Sequence, residues 1–202
     1  LNSLTLISLT VPFGQLFAFI IAILLRDKTK ASPALESIFF SPLLISMVAA
    51  GVIMLYIFGM RGPVNYLLTQ LGIGEVNWLV HPFRAKVVIA ILEIWKGATF
   101  HTFIYLAALR GIPPEYYEAA KIEGANFFQT LWGVTLPLIK NAILFCVVMT
   151  TIWGLQIFDS VYVATQGGPL NSTVTVVFEI YRVSFKHNKM GVGASLSVLF
   201  LI

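Results

Sequence analysis

Three ionisable side chains, Glu93, Lys96 and His101, interrupt one apolar stretch of the sequence, which runs from about Val87 to Leu109. Ionisable groups inside an apolar helix are costly in a bilayer and usually face a cavity or a partner group. The spacing of three places Glu93 and Lys96 on the same helix face, where they form either a structural ion pair or part of a path for a ligand or an ion. A lone histidine on such a helix more often packs with a hydrogen bond than relays protons. Binding and charge transfer are the chemistry open to these groups.

No catalytic arrangement accompanies them in the sequence. There is no G-x-x-x-x-G-K-[ST] phosphate loop, no H-E-x-x-H and no C-x-x-C, and the three histidines lie far apart. Cys146 is the single cysteine and lies inside an apolar run, which indicates a small buried hydrophobe. The pattern therefore predicts neither an enzyme nor a metal site, and we expect no cofactor in this chain.

Composition favours a membrane protein. Hydrophobic residues make up 58% of the 202 residues and charged residues 11%, with a mean hydropathy of +0.87. A soluble domain has about 25% charged residues. The net charge of +4 comes from scattered lysines and arginines, and no basic run interleaved with aromatics indicates nucleic acid. We expect an all-α, polytopic transmembrane helical domain that contacts lipid and no nucleic acid.

Five apolar runs are candidates for membrane spans, at about residues 4–25, 38–60, 87–109, 138–158 and 190–202. Residues 61–86 mix turn formers with isolated apolar residues, which predicts an extramembrane segment with one short helix at 64–71. Residues 174–185 alternate imperfectly and are interpreted as a surface-lying helix. The sequence starts without Met and stops inside an apolar run, so we expect one domain, 1–202, truncated at both ends.

The longest polar interval in the central part of the chain, residues 111–137, carries helix signals that agree with one another. A Pro-Pro pair at 113–114 suits the start of a helix, and Gly124 suits a left-handed cap at its end. Asn126, with a glutamine three residues later, is typical of the cap of a second helix. The pattern predicts two short helices joined by a tight glycine turn, set between two spans.

Two motifs in this part of the sequence resemble those of a known family. Glu118-Ala119-Ala120, followed after three residues by Gly124-Ala125 and then by Thr135-Leu136-Pro137, resembles the EAA loop of permease subunits of ABC importers. Thr165-Gln166-Gly167-Gly168-Pro169 is similar to a motif that follows the next span in the sugar-uptake branch of these permeases. Three further strings fall where that branch has similar residues: Asn77-Trp78-Leu79, Ile94-Trp95-Lys96 and Phe158-Asp159. The resemblance covers nearly the whole chain.

The resemblance implies a transmembrane permease subunit that carries a sugar or an oligosaccharide across a prokaryotic cell membrane. Implied partners are a second permease subunit, an extracytoplasmic solute-binding protein and two cytoplasmic ATPase subunits. Those ATPase subunits would hold the ATP and Mg²⁺ for which this chain has no site. Basic residues flank both sides of the predicted spans, so only the resemblance places residues 111–137 in the cytoplasm.

Site residues also follow from the resemblance. It implies a helix that docks into a cleft of the ATPase, with Glu118, Ala119 and Ala120 on that helix and Gly124 setting its turn. The open alternative is an interfacial helix in which Glu118 pairs with Lys121. The helices before and after this loop are expected to line the substrate path, at Glu93, Lys96, Gly97, Phe100, Thr150 and Gly154. Gly167, Gly168 and Pro169 are expected to form an extracytoplasmic turn.

A second hypothesis requires no ATPase. In it the chain is an ion-coupled secondary transporter or channel whose ion path uses Glu93, Lys96 and His101. An intramembrane enzyme is a third hypothesis, which the missing catalytic patterns disfavour. Dependence on a partner separates them, because only the permease should be inert alone and co-purify with an ATPase.

Overall fold

The fold is that of a computed structural model, which describes residues 1–27 and 32–201. Every regular element in these ranges is helical, so the all-α prediction is confirmed. The α-helices of these ranges are, in chain order, α1 (Asn2–Leu25), α2 (Ser32–Phe40), α3 (Met47–Ile57), α4 (Pro63–Gln70), α5 (Pro82–Arg110), α6 (Pro114–Ile122), α7 (Phe127–Thr130), α8 (Leu136–Leu138), α9 (Lys140–Leu155), α10 (Asp159–Ala164), α11 (Val176–Tyr181) and α12 (Met190–Leu201). A 3₁₀ turn follows α2 at Ser41–Leu44, and π turns lie at Leu131–Thr135 and Arg182–Lys186.

Helix α5 is the central element. Its 29 residues form a helix about 44 Å long, which exceeds the thickness of a bilayer's hydrocarbon core. Ile89 packs in one apolar core with Leu6 of α1 and Phe178 of α11, and Leu92 packs in a second with Met54 of α3. The C-terminal half of α5 forms a third core with α1 and α9. Because α5 contributes to all three, it fixes the positions of the other helices.

Helices α1 and α5 run parallel. At mid-length the Thr102 hydroxyl donates to the Ala18 carbonyl over 3.2 Å, and at their C-terminal ends Arg110 donates to the Leu25 carbonyl over 2.9 Å. Helix α9 runs the opposite way, because its first residues follow the 111–137 loop while Ile157, just beyond it, shares the core of Leu6 and Ile89. We call the two ends of the bundle the Pro82 end and the Arg110 end, after the first and last residues of α5.

Fewer straight spans are present than the five predicted. Among the described residues, α1 and α5 are each long and apolar enough to cross a membrane, and the number rises to four if each of two bent helix pairs counts as one span. The described part of the fifth run, α12, has 12 residues. The third predicted run, 87–109, lies inside α5, whose helix starts earlier, with Pro82 at its first position.

The second predicted span was wrong as a continuous helix, whereas the fourth contains the unbroken helix α9 and is bent only at its start, at Ile139. Residues 33–44 and 47–57 meet at 102°, and residues 127–138 and 140–155 meet at 72°. In the first pair, Pro42 starts a 3₁₀ turn, Ile45 is extended, and the Ser46 hydroxyl caps α3 by accepting from the Ala49 amide at 3.2 Å. The chain bends at these local signals. They could not be predicted from the apolar composition of the run.

The remaining sequence predictions have mixed outcomes. The short helix predicted at 64–71 is α4, and the helix predicted at 174–185 is α11 with its π turn. That second segment is not wholly on the surface, since Phe178 is fully buried. Residues 28–31, between the first two predicted spans, lie outside the described residues, and α2 begins at Ser32, before the predicted start of the second span at 38.

Candidate functional site

A small cavity lies between α1, α5 and α9. Its volume is about 40 Å³, and its lining is mostly apolar or glycine, from Gly14, Ile94, Gly97, Ala98, Trp153, Gly154 and Ile157. We call it the polar cavity after the four polar side chains in this lining, Thr10, Glu93, His101 and Thr150. A water molecule needs roughly 10–15 Å³ when cavities are measured in this way. The cavity therefore has room for a few waters and not for a sugar ring, so any larger substrate requires the three helices to separate.

A hydrogen-bonded network joins the three helices beside this cavity. The Gln15 amide of α1 donates to the Thr150 hydroxyl of α9 at 2.5 Å, and the Tyr105 hydroxyl of α5 donates to Gln15 Oε1 at 2.5 Å. The Thr150 hydroxyl also lies 3.0 Å from His101 Nε2 and donates to the Cys146 carbonyl at 2.7 Å. Buried polar groups are expensive unless paired, so this network specifies how the helices register against one another.

Four of the six residues predicted for the substrate path line this one cavity: Glu93, Gly97, Thr150 and Gly154. Phe100 lies at its edge, where its ring contacts that of Trp153 with centroids 5.3 Å apart. A Cβ added at Gly97 meets nothing within 4 Å, whereas one at Gly154 would lie 2.8 Å from Ile7 of α1. Gly97 thus leaves open space, and Gly154 permits close packing of α9 on α1.

The sixth residue, Lys96, faces away from the cavity, and the suggested Glu93–Lys96 ion pair is wrong. Lys96 Nζ donates to the carbonyls of Ile45 at 2.5 Å and Pro42 at 3.3 Å, at the bend between α2 and α3. Glu93 instead accepts from the Ser160 hydroxyl of α10 at 2.5 Å. A spacing of three on a helix brings Glu93 and Lys96 near one another. Each nevertheless has its own partner, backbone carbonyls for Lys96 and the Ser160 hydroxyl for Glu93.

Sequence reasoning missed Gln15, Tyr105 and Ser160. Each is an ordinary polar residue in an apolar run, and its importance comes from partners that are 135, 90 and 67 positions away along the chain. Gln15 carried the one available signal, as an amide deep inside a predicted span, where polar residues usually contact another helix. Among the described residues, no cluster of three or more His, Cys, Asp or Glu side chains could hold a metal ion.

At the Arg110 end, residues 111–137 form the predicted helix, turn and helix. Gly124 has φ +77°, and the Ala125 amide donates to the Ala120 carbonyl at 2.9 Å while the Gly124 amide donates to the Lys121 carbonyl at 3.1 Å. These two bonds are those of a Schellman cap. Asn126 then opens α7 with a complete capping box. The local prediction is confirmed in detail.

Helix α6 exposes one face and buries the other. Glu118 and Ala119 are exposed, Ile122 is 87% exposed, and Ala120 is buried against the rest of the chain. Of the two small residues predicted to contact a partner, Ala119 is accessible and Ala120 is not. The alternative Glu118–Lys121 ion pair is absent, since the ion pairs among the described residues are Arg110–Glu36 and Arg182–Glu179.

Gly167, Gly168 and Pro169 form a turn at the opposite, Pro82 end. Gly167 has φ +88°, and a Cβ there would lie 2.8 Å from Val174 and 2.9 Å from Phe178, so the turn requires glycine. The buried Thr173 hydroxyl donates to the Gly168 carbonyl at 2.8 Å. The predicted turn is thus a fixed structure at the end of the bundle remote from α6.

Comparison with known proteins agrees with this arrangement. Residues 4–202 match the family described as binding-protein-dependent transport system inner membrane component. The chain belongs to this family. It is 37% identical over 190 residues to the lactose transport system permease protein LacF of Rhizobium radiobacter, covering 92% of this chain and 64% of the relative. It is 33% identical to the trehalose/maltose transport system permease protein MalF of Thermococcus litoralis, covering 97% of this chain and 65% of the relative.

A solved structure shares the fold. The family member matches a chain of a bacterial ABC transporter involved in the import of the acidic polysaccharide alginate, with a TM-score of 0.88, 25% identity, and coverage of 98% of this chain and 71% of that one. A second structure of an alginate transporter, in complex with a periplasmic protein that holds an alginate pentasaccharide, matches with a TM-score of 0.87. The chain thus spans about two thirds of the length of these curated relatives and of the structural match.

Proposed function

We propose that this chain is the permease subunit of an ABC importer that carries a sugar or an oligosaccharide into a prokaryotic cell. It would work in the membrane with a second permease subunit, two cytoplasmic ATPase subunits and an extracytoplasmic solute-binding protein. The family match and the sugar substrates named for the related permeases support this proposal.

One observation carries the mechanism. The exposed helix α6 lies in the chain between α5 and α9, and both of those helices line the polar cavity. A partner that moves α6 therefore acts on the cavity through the two helices attached to it. A cavity between helices that a partner can move apart is what alternating access requires.

The chemistry of the cavity suits a ligand rich in hydroxyl groups. Glu93, His101 and Thr150 supply hydrogen-bonding groups, and Trp153 supplies an apolar ring. Specific small-molecule sites combine apolar walls with a few well-placed polar groups. Sugars present both kinds of surface, so the lining favours them over an inorganic ion.

The two ends of the bundle would face different partners. Helix α6 at the Arg110 end would dock on an ATPase subunit in the cytoplasm, with Glu118 offering a carboxylate to a basic side chain. The Gly167–Pro169 turn at the Pro82 end would face the solute-binding protein. ATP and Mg²⁺ would bind in the ATPase subunits, because the sequence has no phosphate loop of its own.

The test is co-purification of the full-length protein from a mild detergent extract, with associated proteins identified by mass spectrometry. We expect a Walker-type ATPase that is retained in the control Glu75→Lys and lost in Glu118→Lys. Both carboxylates are exposed, and they lie beyond opposite ends of α5, so the charge change is matched while the location differs.

Uptake without any associated ATPase would contradict the proposal. Uptake that is driven by an ion gradient and abolished by Glu93→Gln would instead support the ion-coupled transporter. Loss of the ATPase in both charge variants would contradict the docking role of Glu118 while leaving the importer function in place.

A further inference from the structure

The buried side of α6 contacts a helix that is distant from it in sequence. Tyr117 is half-buried, and its ring lies 3.8 Å from the guanidinium carbon of Arg26, the residue that follows α1. A guanidinium over an aromatic face is attracted by the ring quadrupole. The Tyr117 hydroxyl also lies 3.3 Å from the hydroxyl of Thr135, which is buried at the end of the π turn. One side chain thus joins α6 to α1 and to the segment that leads into α9.

Helix α1 then leads from this contact to the polar cavity. Gln15 is 11 residues before Arg26 (26 − 15), which is about 16 Å along a helix. The Gln15 amide nitrogen donates to the Thr150 hydroxyl, and the Gln15 amide oxygen accepts from the Tyr105 hydroxyl. Gly14, the preceding residue, lines the cavity. Unlike α5 and α9, α1 is not linked to α6 by a short stretch of chain, so a movement of α6 reaches it through side-chain contacts.

We propose that Tyr117 is the positioning residue that transmits movement of α6 to α1, so that all three cavity helices respond together. This inference rests on the proposed function. The outward face of α6, with Glu118, Ala119 and Ile122, would bind the ATPase, whereas Tyr117 on the inward face would convert that binding into separation of α1 from α5 and α9. Removal of the Tyr117 ring should therefore separate two properties that normally occur together, association with the ATPase and response of the cavity.

A thiol placed in the cavity measures that response without knowledge of the substrate. A Cβ at Gly97 would meet nothing within 4 Å, which favours Gly97→Cys as the probe, and Cys146, the one cysteine of these 202 residues, is fully buried. The full-length chain is purified with its ATPase, and the rate at which a small methanethiosulfonate reagent labels the introduced thiol is compared before and after trapping with ADP and vanadate. Mass spectrometry reads the labelling on this chain alone.

With Tyr117 present we expect trapping to change the labelling rate by about tenfold, because the thiolate is the reactive form and a thiol ionises more readily in water than in apolar surroundings. Tyr117→Ala should reduce the change below about twofold while the amount of ATPase per chain stays the same. Tyr117→Phe keeps the ring and should retain most of the change. Tyr116→Ala is the matched control, since it removes a neighbouring ring that is 51% exposed and should leave the response of each ATPase-bound complex intact.

Two results would overturn the inference. Either Tyr117→Ala keeps the full change in labelling rate, or it loses the ATPase itself, in which case Tyr117 belongs to the docking surface. If Tyr117→Ala does not fold, Arg26→Gln tests the same contact from α1 and must give the same separation of association from response. Failure of the parent protein to co-purify with any ATPase would instead contradict the proposed function, and the inference with it.

Discussion

The 111–137 loop and the polar cavity are built in opposite ways. In the loop the decisive hydrogen bonds join residues three to five positions apart, as in the Asn126–Gln129 capping box and the Ala125–Ala120 bond. In the cavity they join residues 49 to 135 positions apart. A region stabilised by local bonds can move as one piece, whereas one held by bonds between helices rearranges only when several elements move. The proposed function, in which the loop moves as one rigid piece and the cavity helices rearrange in response, would need this division.

The largest effect should come from Lys96→Met, at the bend that supports the cavity from outside. Loss of the ammonium leaves the Ile45 carbonyl without its donor in an apolar setting, while the Pro42 carbonyl keeps only the Ile45 amide, at 3.3 Å. We expect the free energy of unfolding in detergent to fall by about 2–3 kcal/mol, the cost of charged hydrogen bonds. Lys86→Met on the same helix should change it by less than about 0.5 kcal/mol. If Lys96→Met were as stable as the parent protein but transported differently, Lys96 would instead have a role in the substrate path.

Thr150→Val should break the cavity network at its centre. The substitution keeps the shape of the side chain but leaves His101 Nε2 without its hydroxyl partner and the Gln15 amide with only its longer bond, 3.3 Å, to the Cys146 carbonyl. We expect a loss of about 2 kcal/mol in unfolding free energy. Thr151→Val is the matched control, because the Thr151 hydroxyl bonds only within its own helix, to the Val147 carbonyl at 2.8 Å. If the two variants were equally stable, the cavity would not depend on contacts between helices.

This contrast also explains how much could be predicted from the sequence. The Schellman turn at Gly124 and the capping box at Asn126 depend on short-range patterns, and the sequence predicted both. The four cavity residues Glu93, Gly97, Thr150 and Gly154 came from the family resemblance, which carries three-dimensional information that spacing alone lacks. Gln15, Tyr105 and Ser160 could not be found, because a polar residue in an apolar run does not show which distant residue it will meet.

The 102° bend between α2 and α3 was missed for a related reason. Hydropathy averages over a window, and the run from residue 38 to residue 60 is apolar enough for a span. Pro42 is a local signal of a helix break, and Ser46 is a local signal of a new helix start. The prediction gave more weight to the apolar composition of the run. Lys96 and Thr99 of α5 donate to the carbonyls that the bend frees, so part of the compensation comes from another helix.

Gly124→Ala tests the loop with a smaller expected effect. The positive φ disfavours any Cβ, while no atom lies within 4 Å of the position it would take, so the cost is confined to the backbone. We expect a loss of about 1 kcal/mol from the strained left-handed conformation, together with weaker binding of the ATPase as α6 tilts. Gly133→Ala has equal space and no positive φ, and it should not weaken the complex. Equal binding by both variants would show that the angle of the turn is unimportant.

Gly97→Ala should have the smallest effect on stability and, for that reason, separates the two regions most cleanly. The added methyl group meets nothing within 4 Å, and alanine is the better helix former, so the chain should gain up to about 1 kcal/mol. Transport should nevertheless fall, because the methyl group occupies space in the cavity of about 40 Å³ through which the substrate would pass in the proposed function. Gly191→Ala, also without neighbours, is the control for helix propensity and should leave uptake unchanged. A Gly97→Ala protein that is more stable and transports normally would mean that the substrate passes elsewhere. A Gly97→Ala protein that is more stable but transports less would show that the absence of a side chain at position 97 serves transport.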